Sequence, residues 1–143
     1  VLFALRNVIW SQSMQNVSCS SNHPSVLVVD DNPIHRSLAL KSLEILGYAS
    51  EAVSSGKEAL ERLAQSSYKV VLMDCRMPEL DGYEATRQLR SQEKTCHGTT
   101  IIGLTACAIK GDREKCLRAG MDDYLSKPFW LHDLDTLLQK WLH

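Results

Sequence analysis

The chain has 143 residues, enough for one domain with a full core. Apolar residues make up 44% and charged residues 23%, and 16 basic against 17 acidic side chains leave a net charge of -1. That balance argues against a large nucleic-acid footprint, which needs a clustered positive field. Five Cys with no C-x-x-C pair argue against a disulfide framework or a zinc knuckle and fit a reducing, cytoplasmic setting.

Near the start, the longest apolar runs are Val1 to Leu5 and Val8 to Trp10. Both fall far short of the ~20 residues that cross a bilayer. The basic-then-apolar order of a signal peptide is absent. Residues 11–25 read SQSMQNVSCSSNHPS, a composition that buries little and suits a linker. The expected division is an N-terminal extension and linker over 1–24 and a folded domain over 25–143.

Beyond the linker the pattern alternates between two periods. Val26-Leu27-Val28-Val29 is an unbroken aliphatic run ending in Asp30-Asp31, as in a strand covered on both faces. Asn32 suits a helix cap and Pro33 its first turn. Ile34, Leu38, Ile45 and Leu46 then recur near helical spacing up to Gly47. A short strand is expected around Ala49–Val53. Ser55 and Glu58 form a capping box that opens a helix through Ala59, Leu60 and Leu63. Tyr68 to Met73 is the next strand, ending at Asp74. After a turn over Pro78–Gly82 a helix runs to about Arg90. Thr100 to Leu104 is a strand ending at Thr105, and Ile109 to Ala119 a helix stopped by Gly120. Asp123 to Ser126 is the last strand, and Leu131, Leu134, Leu138 and Trp141 mark the closing helix.

Five strands alternating with five helices predict an α/β fold: a doubly wound, five-stranded parallel sheet with helices on both faces. Ligands in such folds sit beyond the carboxyl ends of the strands, where strand order reverses. Asp30 and Asp31, Asp74, Thr105 and Lys127 stand at four of those ends. Three close carboxylates repel one another unless compensated. A hard divalent cation with oxygen ligands is the natural compensation, and Mg²⁺ fits two carboxylates plus waters, with Mn²⁺ an alternative. Lys127 and the Thr105 hydroxyl suit an incoming anion. A phosphoryl group is the best candidate, and Asp74, on the most central-looking strand, is the expected nucleophile.

These residues resemble the receiver, or phosphoacceptor, domain of two-component response regulators. The resemblance rests on VLVVDDN at 26–32, VVLMDCRMPELDGYEATRQLR at 70–90 and IIGLTACAIKGDREKCLRAGMDDYLSKPF at 101–129. The wording is most similar to the C-terminal receiver of a hybrid sensor histidine kinase, and the linker favours that over a stand-alone receiver. The resemblance implies the flavodoxin-like (βα)5 topology and phosphotransfer to Asp74 from a phosphohistidine. The donor would be a histidine kinase transmitter domain or a histidine phosphotransfer domain. No direct nucleic-acid or membrane contact is expected. It further implies that Asp31 and Asp74 hold the metal directly, that Asp30 assists through water, and that the Arg76 backbone carbonyl adds an oxygen. Thr105 and Lys127 would bind the phosphoryl oxygens, with a cis Lys127-Pro128 peptide. Thr105 and Tyr124 would form the switch, read out on the face of the fourth helix, fifth strand and fifth helix. The domain would catalyse its own phosphorylation and dephosphorylation.

Other side chains read more plainly. His35 is expected as a solvated surface histidine on the first helix. Trp130 is a candidate exposed contact. Cys75, Cys107 and Cys116 are expected as buried small hydrophobes, and Cys19 as exposed. Rival readings fit less well. A flavodoxin-type cofactor loop should be rich in Ser, Thr and Gly, where this chain has DDNPIHR. A haloacid-dehalogenase-type phosphatase needs a second Asp where Arg76 stands. A docking module with the same fold that works without phosphorylation is the remaining alternative.

Overall fold

Five strands, β1 (Val26–Val29), β2 (Ser50–Val53), β3 (Val70–Asp74), β4 (Thr100–Thr105) and β5 (Asp123–Ser126), form one parallel sheet in the order β2-β1-β3-β4-β5. This is a computed structural model, and it describes residues 24–92, 98–106 and 111–142. The helices are α1 (Pro33–Ile45), α2 (Gly56–Gln65), α3 (Gly82–Ser91), α4 (Asp112–Ala119) and α5 (Leu131–Leu142). The expected architecture is therefore present. The first two residues of the helix expected from Ile109, 109–110, and residues 1–23 of the expected extension lie outside the described residues.

Successive side chains of a strand point to opposite faces, and here both faces are covered. Leu27, Val29, Val71, Met73 and Ile101 pack with Ala59 and Leu63 of α2, Ala85 and Leu89 of α3, and Cys116 of α4. Val26, Val28, Val70, Leu72, Ile102 and Leu104 pack with Ala39 and Leu43 of α1 and Leu134 and Leu138 of α5. Two-sided cover is why β1, β3 and β4 read as unbroken apolar runs.

Helix ends follow local chemistry. Asn32 Oδ1 accepts from the Ile34 and His35 N–H groups at 2.9 and 3.4 Å, and Pro33 sits in the first turn. Ser55 Oγ accepts from Glu58 N–H at 3.1 Å. The return bond of the capping box reaches one residue further back than the pattern implies, because Glu58 Oε2 accepts from Ser54 N–H at 2.8 Å. Gly120 closes α4 with φ of +105°, a conformation that favours glycine.

On α1 the apolar stripe faces outward. Ile34, Leu38 and Ile45 are 68%, 61% and 62% exposed, while Ala39 and Leu43 face the sheet. Helical spacing puts residues on a common face but does not say which face the sheet will cover.

Candidate functional site

The register sets the site. Val29 pairs with Met73, so Asp30 and Asp74 leave adjacent strands at one level. Asp74 pairs with Leu104 and Thr105 pairs with Ser126, which brings Thr105 and Lys127 to the same rim. Strand order reverses between β1 and β3, where a doubly wound sheet opens its crevice. One carboxylate oxygen from each of Asp30, Asp31 and Asp74 lies within 4.8 Å of the others. Asp30 and Asp74 are buried and Asp31 is exposed.

The buried acids are held differently. Asp30 Oδ1 accepts from Asn32 N–H at 2.9 Å and Oδ2 from Lys127 Nζ at 2.5 Å. Asp74 Oδ1 accepts from Arg76 N–H at 3.3 Å, and its Oδ2 stands 3.6 Å from Lys127 Nζ. Burial pushes the Asp74 carboxyl up to about 6; the Lys127 ammonium opposes this, and the Asp30 charge adds to it. The Arg76 side chain is exposed. The Lys127-Pro128 peptide is cis, as the resemblance implied.

Thr105 is 3% exposed, and its Oγ1 is buried with no hydrogen-bond partner among the described residues. An orphaned buried hydroxyl is uncommon and is a reason to look for an absent ligand. Tyr124, the expected switch partner, is half-buried and packs against the core on the α2–α4 face. Trp130 is 79% exposed. Cys75 and Cys116 are buried, as expected. Cys19 and Cys107 lie outside the described residues.

His35 is exposed on α1, as expected, yet it also reaches the acids. Its Nδ1 lies 3.6 Å from Asp30 Oδ2 and 3.4 Å from Lys127 Nζ, so it forms part of the site rim. Sequence reasoning also passed over Gly82. A Cβ there would stand 2.1 Å from the Asp74 carbonyl oxygen, so only glycine lets α3 start this close to β3. The signal was the glycine that opens α3 behind Asp81, whose Oδ1 caps the helix at Glu84 N–H, 2.8 Å away.

Hard oxygen donors at this spacing fit a hard divalent cation. The orphaned hydroxyl and the ammonium beyond them fit an anion. Residues 26–139 match the family described as the response regulator receiver domain. The chain belongs to that family.

Among solved structures, this receiver is similar to the receiver domain of sensor histidine kinase PA1611 from Pseudomonas aeruginosa PAO1, described with a magnesium ion coordinated in its active site cleft. The two are 45% identical with a TM-score of 0.77, over 85% of this chain and 98% of that one. It is also similar to the receiver of Saccharomyces cerevisiae Ssk1, solved with the histidine phosphotransfer protein Ypd1. There the identity is 30% and the TM-score 0.76, over 85% of this chain and 91% of that one. In sequence it is 38% identical over 133 residues to the sensor histidine kinase GacS of Pseudomonas protegens, across 92% of this chain. The hybrid signal transduction histidine kinase L of Dictyostelium discoideum is 38% identical over 121 residues, across 81% of this chain. The chain spans only 14% and 7% of the length of those two kinases.

Proposed function

We propose that this receiver takes a phosphoryl group on Asp74 from a phosphohistidine, in a magnesium-dependent transfer within a hybrid-kinase phosphorelay. The observation that carries the reading is the convergence of Asp74, its two companion acids, the orphaned Thr105 hydroxyl and Lys127 on one rim. In the transfer the donor's N–P bond breaks and an Asp74 O–P bond forms. With a proton on its other ring nitrogen, the donor's imidazole leaves neutral.

Each residue has a role. Asp31 and Asp74, with the Arg76 carbonyl, would hold Mg²⁺, and Asp30 would assist from its pairing with Lys127. When bound, the cation masks the acids and supplies positive charge to the phosphoryl oxygens. Lys127 and Thr105 give those oxygens an ammonium and a hydroxyl donor. Thr105 moves toward the phosphoryl group, Tyr124 turns inward behind it, and the face of α4, β5 and α5 reports the change. Water attack on the acyl phosphate returns the resting state.

The donor is read as a histidine kinase transmitter or a histidine phosphotransfer domain. The kinases similar to this chain and the Ypd1 complex of the Ssk1 receiver support that reading. So does the outward apolar stripe of Ile34, Leu38 and Ile45 on α1, which begins beside the acids and offers contact area to a partner helix. Residues 1–24 are assigned to an extension and linker.

Acetyl phosphate with Mg²⁺ is expected to add one phosphoryl group, lost in alkali or hydroxylamine, as seen by intact mass. Asp74→Asn should abolish it. A persisting adduct in that variant would place the acceptor elsewhere, and no adduct on the unmodified chain would leave the docking-module reading.

A further inference from the structure

Gly103 lies within β4, and three sulfur atoms crowd the point where its Cβ would stand. Met121 Sδ is 2.6 Å from that point, Cys116 Sγ 3.0 Å and Cys75 Sγ 3.1 Å. All three side chains are buried. They come from three segments: Cys75 follows Asp74 at the end of β3, Cys116 belongs to α4, and Met121 lies between α4 and β5. The two thiols are free, with their sulfurs 3.9 Å apart.

That separation has a chemical meaning. Two sulfurs that each lie about 2.3 Å from one ion, as in a zinc thiolate, stand about 3.8–4.0 Å apart at tetrahedral to trigonal angles. The observed 3.9 Å falls in that interval. Two thiolates with a thioether are soft ligands, and they select a soft cation such as Cu(I) over a hard one.

The surroundings supply an independent argument. A surface cleft of about 390 Å³ reaches Cys75 and Tyr83 and is walled by Arg76, Arg87, Lys115 and Arg118. Arg76, Lys115 and Arg118 have no ion pair among the described residues. Asp81, which caps α3, is the carboxylate of this cleft. Tyr83 lines the same cleft beside Cys75, where a hydroxyl can orient ligands from outside the first layer. The hydrogen bond with Cys116 and burial push the Cys75 thiol up, so a bound cation has to displace its proton, and the cleft brings solvent-side space up to Cys75.

We propose that Cys75, Cys116 and Met121 form a three-sulfur site for one soft monovalent d¹⁰ cation of the Cu(I) class, separate from the carboxylate rim. On loading, two S–H bonds give way to two S–metal bonds, two protons leave, and Met121 donates a lone pair. No electron is transferred. The filled site carries one net negative charge, which the cationic cleft walls offset.

The test uses the full chain with Cys19, Cys96 and Cys107 replaced by Ser, and Ag⁺ as a redox-inert probe. Native mass spectrometry in the presence of excess free methionine should show one Ag⁺ per chain. Cys116→Ala should lose it, with folding checked by circular dichroism. Met121→Leu keeps the core volume. It should weaken retention by at least about tenfold, since even outer-layer partners of a metal site matter by that factor. The proposal is overturned if no ion is retained, if Cys116→Ala or Met121→Leu retains it unchanged, or if the chain instead loses two hydrogens to a Cys75–Cys116 disulfide.

Discussion

Lys127 leans on Asp30 rather than on Asp74: its Nζ stands 2.5 Å from Asp30 Oδ2 and 3.6 Å from Asp74 Oδ2. The ammonium thus offsets one buried acid while remaining within reach of the other. It also competes with any cation for the same oxygens. Removing it takes a positive charge out of an acidic pocket. Lys127→Ala is expected to bind Mg²⁺ as well as the parent or up to about tenfold tighter, because Coulomb repulsion between the two cations is lost. The same variant should fail to reproduce the amide shifts that beryllofluoride induces at Thr105 and Tyr124. A full parent-like shift pattern in Lys127→Ala would remove the role given to this residue.

Asp31 should matter chiefly to the metal. Its carboxylate is exposed yet lies within the acid cluster. Asp31→Asn is expected to weaken Mg²⁺ binding by about tenfold or more, since a charged ligand of a hard cation is lost. Magnesium titrations followed by amide shifts check this, and equal affinity in the two proteins would sink the assignment.

The raised Asp74 carboxyl makes stability depend on pH when divalent ions are removed. An acid whose folded value stands above its unfolded one favours the fold in its protonated form. That contribution is complete below the ordinary value near 4 and is lost as pH rises through about 6. Asp74→Asn carries no such charge. In EDTA it should exceed the parent by about 2 kcal/mol at pH 7 and converge with it near pH 4. Urea midpoints at pH 4, 5.5 and 7 measure the difference. A variant no more stable than the parent at pH 7 would mean that Asp74 is not strained by its ionisation.

Thr105 Oγ1 has no partner among the described residues, so the hydroxyl costs stability in the resting domain. Replacing it with a methyl group of similar shape removes that cost, and Thr105→Val is expected to raise stability by about 1 kcal/mol. The gain should come with a loss, because the hydroxyl would no longer reach the phosphoryl oxygens and Tyr124 would not follow. Thermal melts and beryllofluoride-induced shifts read the two effects on one sample. A destabilised variant would show that the hydroxyl is already satisfied.

At Gly82 the backbone itself is the obstacle. An added Cβ would meet the Asp74 carbonyl oxygen at 2.1 Å, with the Cys75 Cα at 3.0 Å. Gly82→Ala is expected to cost about 3 kcal/mol by forcing α3 away from β3. It should also slow labelling of Asp74, whose strand end must shift. Unchanged urea midpoints would show that α3 has room to move.

Much of this protein could be read from its residues alone. Apolar runs ending in Asp30, Asp74 and Thr105 marked the strands and the ends that meet on one rim. Asn32 and Ser55 marked helix starts, and Gly47 and Gly120 marked stops. These signals are local: a cap, a stop or a strand run is decided by a few neighbouring residues. What sequence could not decide were relationships between residues far apart in the chain. His35 joins Asp30 and Lys127 because α1 packs against one face of the sheet. Ile34, Leu38 and Ile45 face outward because the sheet covers Ala39 and Leu43 instead. Cys75, Cys116 and Met121 meet only because Gly103 leaves space for them. A hydrophobic period specifies which side chains share a face, but the tertiary fold decides which face is buried and what it meets.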